Sequence, residues 1–238
     1  MKKLLLLGIS LMVISTQTVF AKTKRYDVES GIVTYTITSS GNIMGFRHES
    51  HGKKTLYFKE YGNVEVQESE EVSSTMGHTD REHILFKIED GIAYSVNFQR
   101  KMITKQDLSE MMQGRDMGKM GREMLKKMGG KKVGSGKVLG FPCEVWEVTG
   151  SKIWMYKGVT LRSESNIMGM MRKEEATKAK FGVSIPADKL KLPDYPTQSM
   201  DEMLEYQMGR TDRHGHGLNP EEIKQMKEMM KGMFGGKQ

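Results

Sequence analysis

Residues 137–165, KVLGFPCEVWEVTGSKIWMYKGVTLRSES, decide the fold. Thr149-Gly150-Ser151 and Lys157-Gly158 are turn signals that cut this stretch into three segments of strand length, so it reads as an antiparallel meander. Trp146 and Val148 alternate with Val145 and Glu147, and Trp154 and Tyr156 alternate with Ile153 and Met155. Both faces of these strands carry apolar side chains. A strand of that kind is covered on both sides, either by the chain's own helices or by a ligand.

Upstream, residues 26–40 alternate as Val33, Tyr35, Ile37 against Ile32, Thr34, Thr36, a half-buried strand ending at Ser39-Ser40-Gly41-Asn42. A loop carrying His48 and His51 is expected next. Residues 54–71 read as a hairpin turning at Tyr61-Gly62-Asn63, with Glu68, Glu70 and Glu71 on a solvated arm. Residues 82–101 add two strands split by Asp90-Gly91, which makes five strands before the first helical signal. Downstream, a last strand is expected from near Arg172. Pro186, Pro193 and Pro196 then forbid regular structure, and that segment is expected to wrap a sheet edge.

The helical signal begins at Asp107. Met117, Met120, Met124 and Met128 fall on one side of a helical wheel, with Arg115, Lys119, Arg122 and Lys126 on the other. Gly114, Gly118 and Gly121 each cost such a helix about 1 kcal/mol relative to Ala. Gly129 to Gly136 reads as a flexible connector. At the far end, Met200, Met203, Leu204 and Met208 fit one short helix. Asn219 caps another, with Pro220 at its first position and an apolar stripe of Ile223, Met226, Met229, Met230, Met233 and Phe234. The resulting division is a signal peptide over 1–21, a β domain over 22–196 with a helical insert at about 107–130, and a Met-rich helical tail over 197–238.

The signal assignment rests on Lys2 and Lys3, the apolar run 4–14 and Val19-Phe20-Ala21 as a small-x-small cleavage site. The apolar run is too short to span a bilayer stably, and no cysteine follows the cleavage point to carry a lipid. A soluble periplasmic or secreted protein is expected. Loss of 21 of 238 residues leaves 217, and loss of Lys2 and Lys3 takes the formal charge from +7 to +5. No basic stripe with interleaved aromatics points to nucleic acid, whereas anionic lipid headgroups suit the residual positive charge. The one cysteine, Cys143, cannot form an internal disulfide and reads as a small buried apolar residue.

The succession of strands, a helical interruption and a Gly-rich approach to VLGFPCEVWEV, IWMYKGVTLRSES and IPADKLKLPDY resembles exported domains related to the bacterial lipoprotein-carrier family, the periplasmic carrier and its outer-membrane acceptor. The resemblance spans residues 26–195. It implies mainly β structure with helices: a curved antiparallel sheet, an unclosed half-barrel whose helices lid a cavity for acyl chains.

The 22 methionines are the compositional anomaly, and three readings of them stand side by side. They fill the underside of helices packed on the sheet, or they form an adaptable apolar lid over acyl chains, or their thioethers bind a soft metal. The lid reading makes Trp146, Trp154, Met117, Met120, Met124 and Met128 the residues against an apolar ligand, a lipid or an acylated protein, with no cofactor. The metal reading makes His214, His216, Met226, Met229, Met230 and Met233 a Cu(I) site. A third possibility docks the C-terminal amphipathic helix into a partner's groove. None of the familiar hydrolase, zinc-protease or phosphate-loop motifs occurs, and a non-enzymatic role is expected.

Overall fold

The computed structural model describes residues 23–43, 45–109, 116–200 and 202. The segment expected as a signal peptide, Gly114 and the expected tail beyond residue 202, with its His positions and all its Met positions but Met200, therefore lie outside the described residues. Twelve strands form a single sheet: β1 (Gly31–Ile43), β2 (Phe46–Lys59), β3 (Val64–Thr75), β4 (His78–Glu89), β5 (Ile92–Asn97), β6 (Met102–Asp107), β7 (Lys131–Val138), β8 (Phe141–Val148), β9 (Ser151–Tyr156), β10 (Val159–Ile167), β11 (Met170–Phe181) and β12 (Thr197–Ser199). Their order is β12-β6-β5-β4-β3-β2-β1-β11-β10-β9-β8-β7. The sheet is unclosed and antiparallel, apart from the short parallel pairing of β12 with β6. An α-helix, α1 (Met117–Lys127), lies between β6 and β7.

The meander of residues 137–165 is β8, β9 and β10 with the end of β7, and the final strand begins at Met170, close to the expected Arg172. Four expectations change. His48 and His51 lie within β2, because the first hairpin extends well past the polar run that suggested a loop. Residues 26–28 do not open β1; they belong to an N-terminal strap over residues 24–28. A sixth strand, β6, precedes the helix. The glycine-rich connector is largely the edge strand β7, in which Gly134 and Gly136 pair with Val145 and Cys143 around a bulge at Val133. Glycine weakens a strand without forbidding it, and β8 supplies the ladder.

Most hairpins close through two-residue turns with positive φ at both positions: Met76-Gly77, Asp90-Gly91, Leu139-Gly140, Lys157-Gly158 and Met168-Gly169. This is the type I′ geometry, whose twist matches that of the flanking strands.

Three packed clusters hold the sheet. The largest joins Val33, Tyr35, Leu56, Phe58, Val159, Leu161 and Ala176 with Tyr26, Phe141, Tyr156 and Phe181 around them. A second, Val66, Leu85, Val96 and Ile103, is covered by Leu190, Leu192 and Tyr195. The proline segment therefore does wrap the sheet, and it ends by donating β12 to the edge at β6, where Ile103 N–H donates to the Pro196 carbonyl at 2.8 Å. The third cluster is Ile88 and Ala93 with Phe86, Leu108 and Met117.

The curl of the sheet is visible in side chains that reach across it. Arg172 on β11 makes a two-pronged ion pair with Glu71 on β3, at 2.9 and 2.8 Å, over the intervening β1 and β2. Lys54 on β2 reaches Glu174 on β11 across β1 while lying over the Tyr35 ring. Likewise α1 touches Ile88 and Ala93 on one wing and lines a cleft with Ile153, Met155 and Thr160 on the other. Strands β4 and β10 are five places apart, about 24 Å in a flat sheet, so one helix meets both only because the sheet is strongly curved.

Candidate functional site

The N-terminal strap, residues 24–28, lies between sheet and helix. Its backbone is fixed by hydrogen bonds from Arg25 and Tyr26 N–H to the Tyr61 carbonyl and from Asp27 N–H to the Lys157 carbonyl. Gly118 N–H of α1 donates in turn to the Lys24 carbonyl, and Asp116 caps the helix by accepting from Lys119 N–H at 2.8 Å. Beneath the strap, the buried carboxylate of Glu65 accepts from the Tyr26 hydroxyl at 2.7 Å, Arg25 Nη1 at 3.2 Å and Gln67 Nε2 at 2.6 Å. Burial, followed by the facing Glu65 charge, pushes the Tyr26 phenol well above its usual range, so it stays a donor.

The packed stripe of α1 is not its methionine stripe. Residues 117, 118, 121, 122 and 125 line a cleft of about 370 Å³ with Arg25, Tyr26, Ile153, Met155, Gly158 and Thr160, whereas Met124 and Met128 are 62% and 57% exposed. The helix is turned by roughly a quarter-turn from the orientation its amphipathicity suggested. The cause is backbone proximity: a Cβ on Gly118 would stand 2.7 Å from the Arg25 carbonyl oxygen. Glycine, not methionine, lets helix and strap meet.

A paired substitution checks this. Gly121→Ala meets nothing within 4 Å and is expected to raise stability by about 1 kcal/mol through helix propensity. Gly118→Ala has the same propensity gain but forces a backbone oxygen aside, at a cost of about 1–3 kcal/mol, and is expected to lower the melting temperature. Thermal melts that rise for both variants would show that α1 does not dock through Gly118.

The six residues suggested against an apolar ligand are not brought together. Trp146 pairs with Ile153 and Trp154 with Val145, so the two indoles leave opposite faces of the sheet. Trp146 is buried, its Nε1–H 3.3 Å from a Glu144 oxygen, and Trp154 packs on the largest cluster with Arg162 over its ring. Met117 lines the small cleft, Met120 is half-buried, and Met124 and Met128 face outward. The Cu(I) candidates His214, His216, Met226, Met229, Met230 and Met233 lie outside the described residues. Cys143 is buried, its thiol pushed up by desolvation, as a small apolar core residue should be.

A larger cleft, about 870 Å³, lies elsewhere, at the end of the sheet where β1 leaves and β11 enters. Val133, Val148 and Met171 form its apolar walls. Lys131, Lys152, Arg172 and Lys173 stand around it against two carboxylates, Glu147 and Glu164. The Arg172–Glu71 pair is one of its fixed points: Ser50 Oγ–H donates to Glu71 at 2.6 Å, and the guanidinium holds that carboxyl below its usual range. Arg172, Lys152 and Lys173 have carboxylate partners in Glu71, Glu147 and Glu175. The alternation of β7 and the exposure of Val133 and Met171 were too short and irregular a pattern to mark this site in sequence. Among the described residues no helix is long and apolar enough to cross a membrane, and no three His, Cys, Asp or Glu side chains gather as a metal site.

No family model matches the sequence, and no curated protein matches it. Solved structures are similar to it in fold at low identity. An uncharacterized conserved protein from Thermus thermophilus is 8% identical over 70% of this chain and 90% of its own, with a TM-score of 0.40. LprF from Mycobacterium bovis is 10% identical over 70% and 90%, with a TM-score of 0.31. A domain described as an outer-membrane lipoprotein-sorting protein from Vibrio parahaemolyticus is 10% identical over 68% and 89%, with a TM-score of 0.23. These likenesses are distant, and no match to a family in sequence accompanies them.

Proposed function

We propose that this chain is a non-enzymatic, exported binding protein that holds an apolar ligand, a lipid or the acyl chain of an acylated protein, in the end cleft. The observation that carries the reading is the cleft itself. Its volume of about 870 Å³ falls in the range of small-molecule sites, and apolar walls at Val133, Val148 and Met171 sit beside a cationic margin. Each methylene buried against such walls contributes about 0.8 kcal/mol, enough for a chain to be held and still exchanged. The role given to Trp146, Trp154 and the α1 methionines passes to these residues.

The test is native mass spectrometry of the mature protein purified gently from the envelope of an exporting cell, beside Val133→Glu and Met171→Glu. A released species of lipid mass on the unsubstituted protein, lost from both variants while their melts stay cooperative, is the expected result. A bare polypeptide mass, together with no uptake of a fluorescent fatty acid, would overturn the reading. A copper-sized increment would instead direct attention to the His214 and His216 tail.

A further inference from the structure

Three hairpin tips stand side by side at the end of the sheet that holds the cleft. The strands β4-β3, β2-β1 and β11-β10 are consecutive in the sheet, and the turns joining each pair all lie at that end. His48 pairs with both Gly41 and Thr75, and Ser40 pairs with Met171, which ties the three tips into one row. Their sequences are alike: Asn42-Ile43-Met44-Gly45-Phe46, Thr75-Met76-Gly77-His78 and Asn166-Ile167-Met168-Gly169-Met170. Met44 lies outside the described residues, and Phe46 stands for its tip.

Methionine is a poor choice for these turns. Met76 and Met168 adopt φ of +54° and +52°, where Asn, Asp or Gly suits the backbone and a longer side chain is strained. No packing offsets that strain, because Met168 is 97% exposed and Met76 62%. Phe46, Ile167, Met171 and Val133 are exposed around them. The opposite end turns instead through Asp90-Gly91 and Lys157-Gly158, with Leu139-Gly140 as its apolar tip. Basic groups stand beside the tips. The first ionisable residue after each Met-Gly dipeptide is Arg47, His78 or Arg172, and Lys131, Lys152, Arg172 and Lys173 line the neighbouring cleft, the last three in partly exposed ion pairs with Glu147, Glu71 and Glu175.

We infer that this row of apolar tips is a docking surface for an anionic phospholipid bilayer. Strained, exposed methionines and Phe46 enter the acyl boundary, while Arg47, Lys131, Lys152 and Lys173 meet phosphates. The mouth of the cleft then faces the lipid surface. This goes beyond ligand binding, and either can fail alone, since vesicle capture needs no occupied cleft and a loaded cleft needs no bilayer.

The strained turns make the test unusually clean, because asparagine suits their backbone. Met76→Asn with Met168→Asn is expected to raise the melting temperature and, at the same time, to lower capture by vesicles of phosphatidylglycerol and phosphatidylethanolamine by about tenfold or more. Capture of the unsubstituted protein should fall steeply on vesicles of phosphatidylcholine alone. Equal capture by variant and parent would overturn the inference. So would failure of the parent to bind anionic vesicles, including the case where it sediments as a dimer that the asparagines dissolve, which would make the tips a self-association surface.

Discussion

Glu65→Ala is expected to lower the free energy of unfolding by about 3–5 kcal/mol. Only 1% of the Glu65 side chain is exposed, and it accepts hydrogen bonds from Arg25, Tyr26 and Gln67. Removing the carboxylate leaves the Tyr26 hydroxyl and one edge of the Arg25 guanidinium in a dry site without an acceptor. Arg25 keeps some access to water, which places the loss toward the lower end of that range. Glu65→Gln retains the shape and one acceptor and should lose less. Joint replacement Arg25→Met with Glu65→Leu should recover much of the loss, because an apolar pair needs no desolvation of charge. Urea melts of the three variants check the ordering, and a Glu65→Ala loss below about 1 kcal/mol would show that the strap is not anchored there. The consequence extends to the helix. Gly118 N–H is held by the Lys24 carbonyl on the strap, so hydrogen exchange at Gly118 should quicken in Glu65→Ala before the sheet itself opens.

The same strap shows what the sequence could and could not disclose. Asp90-Gly91 and Lys157-Gly158 announce hairpins because their side chains suit positive φ, and the strands around them alternate cleanly. Met76-Gly77 and Met168-Gly169 have the same geometry but no turn chemistry in their first residue, so the ends of β3, β4 and β10 were blurred. Gly118 reads in sequence only as a weak point in a helix. Its value as a contact depends on the Arg25 carbonyl, about ninety residues away, which no local pattern reveals. Glu65 belongs to the same acidic arm as Glu68, Glu70 and Glu71, whose sequence suggests solvation, yet its position on β3 turns it under Tyr26. The half-barrel was legible because hairpin order and alternation are local. The cleft was not, because its walls come from β1, β7, β8, β9, β10 and β11 at once.

Phe58→Ala is expected to cost about 3–5 kcal/mol and to separate two places where a ligand could sit. Phe58 is fully buried at the centre of the largest cluster, its ring centroid 4.6 Å from that of Tyr26 and 6.4 Å from that of Phe181. Gly31 makes room for it, since a Cβ there would stand 2.6 Å from the ring. The curl of the sheet is thus filled by the chain's own aromatic side chains, and the space a carrier-like lid would enclose is already occupied there. Truncation to alanine removes a ring that several neighbours cannot follow, so a void is left, and an apolar void of that kind stays dry and takes up small apolar probes. Benzene should therefore stabilise Phe58→Ala and leave the parent unchanged. Phe58 does not line the end cleft, so the folded variant should load a fluorescent fatty acid as the parent does. If loading instead falls while the melt stays cooperative, the ligand enters the aromatic interior, and the end cleft serves only as its mouth.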